Sequence, residues 1–444
     1  MTDAALTVGF FHPSRGLFRF LVLIVAGSLT YGSYFAYDSV GALAPTLIQA
    51  WQAERESIGW LYTLYSVAAI VSVFFGGVLT DRIGTRRASL VFSALIVIGA
   101  CIVASAPSIL VACVGRFIFG AGSESLVVAQ NAILSRWFRG RELALSFGIT
   151  LAIARLGTLF SFNTESLIAS RFSWQAALWA AAGLCVLSLV ANLLYFVMDK
   201  AGEKALGLAD ATSGDKIVLA DIKKFGASYW YVVFLCVTFY SAIFPFTALS
   251  TDFFHEKWGL PLTTDSGGGS FIAAAFADFM HMFSTAPGTS SIIIFASMCL
   301  APFAGGLVDR IGRRASLMLV GALLMIPCHL LLGFTMLAPY YPMLLLGASF
   351  VLVPAALWPA VPLIVDKNRV GTAFGLMTMI QNIGLAFFPW LNGKLRDATQ
   401  DYRASMAMFA CLGLVGFVFA LLLKRADQKA GGILDRGRAA QPAA

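Results

Sequence analysis

A short polar turn occurs twice in this chain, each time between two long apolar runs, and few folds can carry such a duplication. The first copy reads Gly77-Val78-Leu79-Thr80-Asp81-Arg82-Ile83-Gly84-Thr85-Arg86-Arg87-Ala88. The second reads Gly305-Gly306-Leu307-Val308-Asp309-Arg310-Ile311-Gly312-Arg313-Arg314-Ala315. The offset is constant from Gly77/Gly305 to Gly84/Gly312, after which Thr85 has no counterpart. A duplicated membrane hairpin is the simplest reading, and internal symmetry of this kind builds many transporters. Glycine permits a sharp reversal or a close helix approach. The aspartate can open the next helix, and the arginines can pair with it while facing anionic head groups. A single copy would read as an ordinary basic loop. Two copies at matching places give Gly77, Asp81, Arg82, Gly84 and Arg86, with Gly305, Asp309, Arg310, Gly312 and Arg313, an expected role in conformational gating away from any substrate.

Composition narrows the class. The 444 residues are 59% hydrophobic and 12% charged, with a mean hydropathy of +0.81. That is too little charge to cover a water-soluble surface, and apolar runs of about 20 residues recur along the whole length. The formal charge of +8 does not indicate nucleic-acid binding, because the basic residues sit in short loops and form no stripe. The seven cysteines lie in apolar runs without metal-ligand spacing, which predicts small buried side chains and no disulfide framework. There is no Walker-type phosphate loop, and His12, His255, His281 and His329 are scattered. His329, beside Pro327, reads as a packed core histidine. Neither an enzyme nor a cofactor is expected. The first 17 residues contain no separate cleavable signal, so the first span is expected to direct insertion.

Twelve spans are predicted, in an all-α membrane fold. They run over 18–44, 57–79, 88–106, 108–133, 143–168 and 174–198, then 229–251, 288–308, 315–337, 342–365, 371–393 and 404–423. Most Lys and Arg fall on one side if the amino terminus is cytoplasmic, which places both termini inside. The expected organisation is a cytoplasmic segment over 1–17, a six-helix bundle over 18–198 and a cytoplasmic linker over 199–228. A second bundle follows over 229–423, and then a disordered cytoplasmic tail over 424–444, rich in Ala, Gly and Arg from Ala426. Within the linker, Val218 to Phe225 is read as a short surface helix. The outer excursion near 252–287 holds a flexible Asp265-Ser266-Gly267-Gly268-Gly269-Ser270 loop and an interfacial helix from Phe271 to Phe283.

Ionisable side chains inside a span cost a few kcal/mol or more, so each needs a partner or a task. Tyr34 and Asp38 share a face of the first span, with Tyr37 adjacent. A tyrosine belt would explain the aromatics but not an aspartate so far from the cytoplasmic end, which favours a cavity position for Asp38. Glu124 precedes Arg136 by about 18 Å and Arg155 follows Arg141 by about 21 Å, at 1.5 Å per residue. The two charges therefore arrive at one depth on antiparallel neighbours and are expected to bridge each other in the empty protein. The bridge could be purely structural. Such a pair contributes little net stability after desolvation, which favours a cavity role. The second half offers Tyr240, Trp358 in a proline-rich span, and Gln381 with Asn382; Trp358 could equally be lipid-facing packing. Prolines free carbonyls to face a cavity, and Trp358 can wall it or stack on a cation.

The repeated turn resembles the loop between the second and third helices of the major facilitator superfamily, with its echo between the eighth and ninth. Arg116-x-x-x-Gly120 is similar to the arginine motif of that family's fourth helix, which implies a structural or coupling role for Arg116. The resemblance implies two six-helix bundles around a cavity open alternately to each side. Shorter stretches resemble the lysosomal dipeptide transporter branch, the major facilitator superfamily domain-containing protein 1 type. These are Gly32-Ser33-Tyr34-Phe35-x-Tyr37-Asp38 with Ala42-Leu43, the Glu124/Arg155 pair, and Gly371-Thr372-Ala373-Phe374-Gly375 leading to Gln381-Asn382. The chain departs from that branch at Ser39-Val40, where Asn-Pro is expected, and lacks an acidic dileucine signal before the first span. A cell-membrane relative is therefore expected. The resemblance implies a dipeptide or similar zwitterion as substrate, held by one buried acid and one buried base. The alternatives are an organic-anion carrier, with Arg155 and Arg116 on the anion and a proton on Glu124, and a non-transporting receptor or scaffold.

Overall fold

A backbone at membrane depth has no water to bond with, so apolar runs of this length close their hydrogen bonds internally as helices. In the computed structural model, twelve helices are long and apolar enough to cross a membrane. The structure describes residues 16–138, 143–206, 219–264, 270–366 and 369–435. The first span is broken into α1 (Gly16–Ser28), α2 (Tyr31–Ala42) and α3 (Ala44–Ala50), and α4 (Arg55–Ile83), α5 (Thr85–Ala104), α6 (Ile109–Phe138), α7 (Leu143–Arg171) and α8 (Trp174–Leu206) complete the first half. The second half consists of α9 (Ala227–Trp258), α11 (Ala286–Ile311), α12 (Arg314–Phe334), α13 (Tyr340–Ile364), α14 (Val370–Thr399) and α15 (Arg403–Lys429). The short α10 (Phe271–Met280) lies between α9 and α11, capped by Ser270 Oγ accepting from the Ala273 amide at 3.3 Å. This is the helix expected in the outer excursion; residues 265–269 lie outside the described residues.

Both turns of the repeat hold a glycine in the left-handed region that a side chain rarely adopts, Gly84 at φ +81° and Gly312 at φ +76°. Gly84 caps both α4 and α5, whereas Gly312 ends α11 and Arg313 stands between it and α12. The side chains of Asp81, Gly305, Asp309 and Arg310 lie outside the described residues.

Two boundaries differ from expectation. The sixth span does not stop at 198 but runs to Leu206, because Arg86 and Arg136 supply partners for Asp199 on the added turns. The tail is ordered through Asp435. Here α15 continues to Lys429, and Leu434 is buried, accepting from the Arg314 amide at 2.9 Å. Asp435 receives the Ser316 amide at 3.2 Å and hydroxyl at 2.9 Å, while Asp427 takes the Leu434 amide at 2.8 Å. The unpaired amides at the start of α12 provide what the tail's composition alone does not. Residues 436–444 lie outside the described residues, as does 207–218 of the linker, of which Leu219–Lys224 forms one short 3-10 helix.

Hydrogen bonds and ion pairs join the bundles in the half away from the termini. At the start of α4, Arg55 Nε meets Asp252 at 2.7 Å, and the amides of Arg55 and Glu56 donate to Asp397 at 3.3 and 2.7 Å. Arg396 holds Glu256 at 2.9 Å, and Trp390 Nε1 donates to Glu56 at 2.7 Å. Deeper, Thr63 donates to the Ala386 carbonyl at 2.6 Å and Asn163 to Ser291 at 3.0 Å. The protein is therefore closed on the face opposite its termini.

Small residues make that closure possible. A Cβ on Gly59 would lie 2.4 Å from the Pro389 carbonyl oxygen, and one on Gly393 would lie 2.3 Å from that of Arg55. Combining Gly59→Ala with Gly393→Ala should disfavour this closed state, since overpacking costs about 1–3 kcal/mol at each site. A cysteine introduced by Thr63→Cys should then react faster with a maleimide. Unchanged labelling would show that the α4–α14 crossing does not hold the face shut.

Candidate functional site

The first bundle presents three ionisable side chains from three helices. Asp38 of α2 is 6% exposed and accepts from Thr158 Oγ1 of α7 at 2.7 Å. Glu124 of α6 accepts from the Tyr65 hydroxyl of α4 at 2.8 Å. Arg155 of α7 crosses to the second bundle, its guanidinium 4.4 Å from the centre of the Phe350 ring on α13. Tyr34 lies on α2 one turn before Asp38, on the same face of the helix.

The expected bridge between Glu124 and Arg155 is not formed. Each has found an uncharged partner instead, a phenol for the acid and a ring face for the base. A charge held this way satisfies its nearest neighbour while leaving its formal charge uncompensated.

The second bundle supplies an aromatic wall. Trp358 Nε1 donates to the Tyr240 hydroxyl at 3.0 Å, and Tyr240 stacks on Phe244 with centroids 5.8 Å apart. Phe350 stands edge-on to both, and Trp358 packs against Phe374 at 5.9 Å. Tyr240 also lies within reach of Arg155 and Tyr34, so the wall faces the charges. Gln381 accepts from the Cys236 thiol at 3.4 Å. Asn382 is buried and donates to its own helix at Thr378, at 3.0 Å, so the structure does not bring it to this group.

Arg116 takes a different place. It is 1% exposed and donates to the carbonyls of Leu61, Ala36 and Tyr37 at 3.3–3.4 Å, inside a cage of Tyr37, Tyr62, Tyr65 and Phe119 rings 5.0–5.4 Å away. It braces the backbone immediately before Asp38. Tyr37 is thus both a neighbour of the site and part of this cage.

The repeated turn is anchored away from the site. Arg86 meets Asp199 at 3.2 Å and also bonds Glu203, while Arg136, Trp137 and Tyr195 converge on Asp199 at 2.8–2.9 Å. Arg82 and Arg313 are exposed, and Gly77 has open space where a side chain would go.

Sequence reasoning missed Tyr65, Thr158, Phe244 and Phe350, and the whole interlock of Arg55, Glu56, Asp252, Glu256, Arg396, Asp397 and Tyr402. Hydroxyls and rings inside apolar runs carry no signal of direction, and charges near span ends read as solvated loops. One signal was available. Asp252 closes a long apolar run without a basic residue beside it.

A sequence profile of the Major Facilitator Superfamily matches residues 23–286 and 266–443. The lysosomal dipeptide transporter MFSD1 of Danio rerio is 34% identical over 435 residues, covering 95% of this chain and 90% of that protein. The lysosomal dipeptide transporter MFSD1 of Homo sapiens is 34% identical over 442 residues, covering 95% and 89%. A hexuronate transporter of Bacillus subtilis is 23% identical over 431 residues, covering 92% and 96%. Among solved structures, the nucleoside transporter NupG aligns with a TM-score of 0.68 at 15% identity, over 90% of this chain and 98% of that one. The peptide transporter POT in complex with sulfate also gives 0.68, at 14% identity, over 93% and 96%. At such identities the structures speak for the fold alone.

Asp199 is 0% exposed with three donors besides Arg86, whereas the Glu203 side chain is 43% exposed. Replacing Asp199 by Asn should therefore cost about 3–5 kcal/mol, because it removes the buried charge on which Arg86 and Arg136 converge. Glu203→Gln should cost no more than about 1 kcal/mol. Thermal unfolding of the two purified variants checks the contrast; equal losses would show that Asp199 is not the anchor of the turn.

Proposed function

The chain belongs to the major facilitator superfamily, and on that premise we propose that it is a dipeptide carrier working by alternating access. The observation that supports the substrate is the pairing of the two walls. One bundle sets two acids and one arginine around Tyr34, and the other sets five aromatic rings opposite them. A dipeptide is a zwitterion with two side chains, and it matches both walls at once. Arg155 leaves the Phe350 ring to take the carboxylate in a planar fork. Asp38 and Glu124 take the ammonium end, and Tyr34 orients between them. The rings of Tyr240, Phe244, Phe350, Trp358 and Phe374 receive the side chains through apolar contact.

The partners that the charges hold in the empty protein are ones a substrate can replace. A carboxylate binds a guanidinium more strongly than a ring face does, and an ammonium binds a carboxylate more strongly than a phenol does. Binding therefore exchanges weak contacts for strong ones. The bundles rock about the site, with the Arg55–Asp252 and Arg396–Glu256 groups closing one access state and the repeated turns, including Asp81 and Asp309, bearing on the other. The positive-inside distribution supports both termini on the cytoplasmic side of the membrane. The closed face would then be the outer one.

Because neither charge relies on the other, Glu124→Gln and Arg155→Gln should each fold with little loss. Each should lower dipeptide uptake into proteoliposomes by about 10- to 100-fold, the worth of one charge-assisted contact. Uptake of a hexuronate with no dipeptide uptake would support an anion carrier instead. A protein that moved neither would fit a receptor or scaffold.

A further inference from the structure

The helices α1 and α7 meet closely at Gly27, where a Cβ would lie 2.5 Å from Cδ1 of Ile153. Towards the termini a cavity of about 340 Å³ opens between them and the end of α6. Its lining includes Arg19 and Phe20 of α1, Phe138 of α6, and Leu145, Ser146 and Ile149 of α7. Arg19 stands in the first turn of α1, about 12 Å from Gly27 at 1.5 Å per residue. The cavity is therefore distinct from the candidate site, which begins at Tyr34 further along the same span.

Arg19 has donors to spare. Its Nη2 is buried without a hydrogen-bond partner, and among the described residues the guanidinium forms no ion pair. It rests against the Phe138 ring, 5.4 Å from the centre. Arg86 and Arg136, on the same side of the protein, share the carboxylate of Asp199 instead. A guanidinium carries five N–H donors in a planar fork that matches phosphate oxygens, and a donor buried without an acceptor is costly. This end of the cavity therefore calls for an anion. The rest of the lining decides which kind. Phe20 and Leu145 are 52% and 59% exposed, an apolar surface that a small soluble anion would leave bare and an acyl chain would cover. Arg19 also lies one turn inside the first span, which starts at Gly16, the level at which basic side chains reach lipid phosphates. A dipeptide does not fit, because no acid lines the cavity among the described residues to meet its ammonium end.

We propose that this cavity binds one anionic phospholipid from the leaflet on the side of the termini. The phosphate accepts from Arg19, and an acyl chain runs over Phe20, Leu145 and Ile149. A headgroup without an amine is preferred, since an ammonium would find no acid in the lining. The lipid sits between the first span, which goes on to Tyr34 and Asp38, and α7, which carries Arg155 and Thr158. It fills the space on the terminus side of the Gly27–Ile153 contact and braces the two helices there. The site is independent of which solute the protein carries.

Binding is measured on the full-length protein, delipidated in detergent, with no transport step. Dioleoyl phosphatidylglycerol should raise the thermal unfolding midpoint and stay attached as a single adduct in native mass spectra. Dioleoyl phosphatidylcholine should do neither, and excess inorganic phosphate should not displace the adduct. Arg19 has no ionic partner to lose, so Arg19→Gln should fold, and it should weaken phosphatidylglycerol binding by about 10- to 100-fold, the worth of one charge-assisted contact. Ile149→Trp fills the apolar arm with Arg19 in place and should also lose the adduct. Arg87→Gln removes an exposed arginine at the start of α5 and should bind like the wild type. Undiminished binding by either Arg19→Gln or Ile149→Trp would overturn the proposal. So would equal retention of phosphatidylcholine, which would make the cavity an unselective lipid groove, or displacement by inorganic phosphate, which would make it a site for a soluble anion. An equal loss in Arg87→Gln would reduce the effect to general surface charge and overturn it as well.

Discussion

A charge that lipid cannot hydrate must find its partner inside the protein, and the kind of partner it finds separates structure from function here. Arg136 and Asp199 hold each other, with Trp137 and Tyr195 adding donors, and the cluster ties the repeated turn to the end of α8. Arg116 is compensated by three carbonyls and four ring faces, and is fixed just as firmly. These groups have nothing left to offer a ligand. Glu124, Arg155 and Asp38 have a phenol, a ring and a hydroxyl. Each is satisfied enough to fold and held weakly enough to be taken over by an opposite charge.

The two bundles divide the work unequally. Charge is concentrated in the first, on α2, α6 and α7, and the second faces it with rings from α9, α13 and α14. Rings cost little to bury and tolerate many shapes, whereas charges fix the ends of a ligand in space. In the proposed dipeptide carrier, an aromatic wall opposite a charged one suits varied side chains on a constant backbone. The contact of Arg155 with Phe350 joins the walls across the bundle interface.

Closure at the far face depends on the same economy of space. The α4–α14 crossing brings Gly59 and Gly393 against backbone, and this proximity lets Arg55, Glu56 and Asp397 meet. Tyr402 completes the group by donating to Asp252 at 2.5 Å. Ionic contacts at the rim of a membrane protein are exchangeable with water, which suits an interface that must open.

Local and periodic features were legible in the sequence because lipid imposes them. Apolar length dictated twelve helices, and the duplicated Gly-Asp-Arg-Gly turn announced two related halves. Helical spacing put Tyr34 beside Asp38, and depth along the span brought Glu124 and Arg155 to one level. What spacing cannot contain is azimuth, the direction each side chain takes around its helix once twelve helices have packed. Azimuth gave Glu124 to Tyr65 and Arg155 to Phe350 when matched depth alone suggested that they would join each other. It also turned Asn382 onto its own helix and left the Glu165 carboxylate buried without a hydrogen-bond partner. The tail shows the same limit, since Leu434 and Asp435 are ordered by the open amides of α12, a helix more than a hundred residues earlier. Sequence alone determined which residues are apolar, charged or free to turn. Tertiary packing decided which charges meet, because that is set by the summed fit of all the helices.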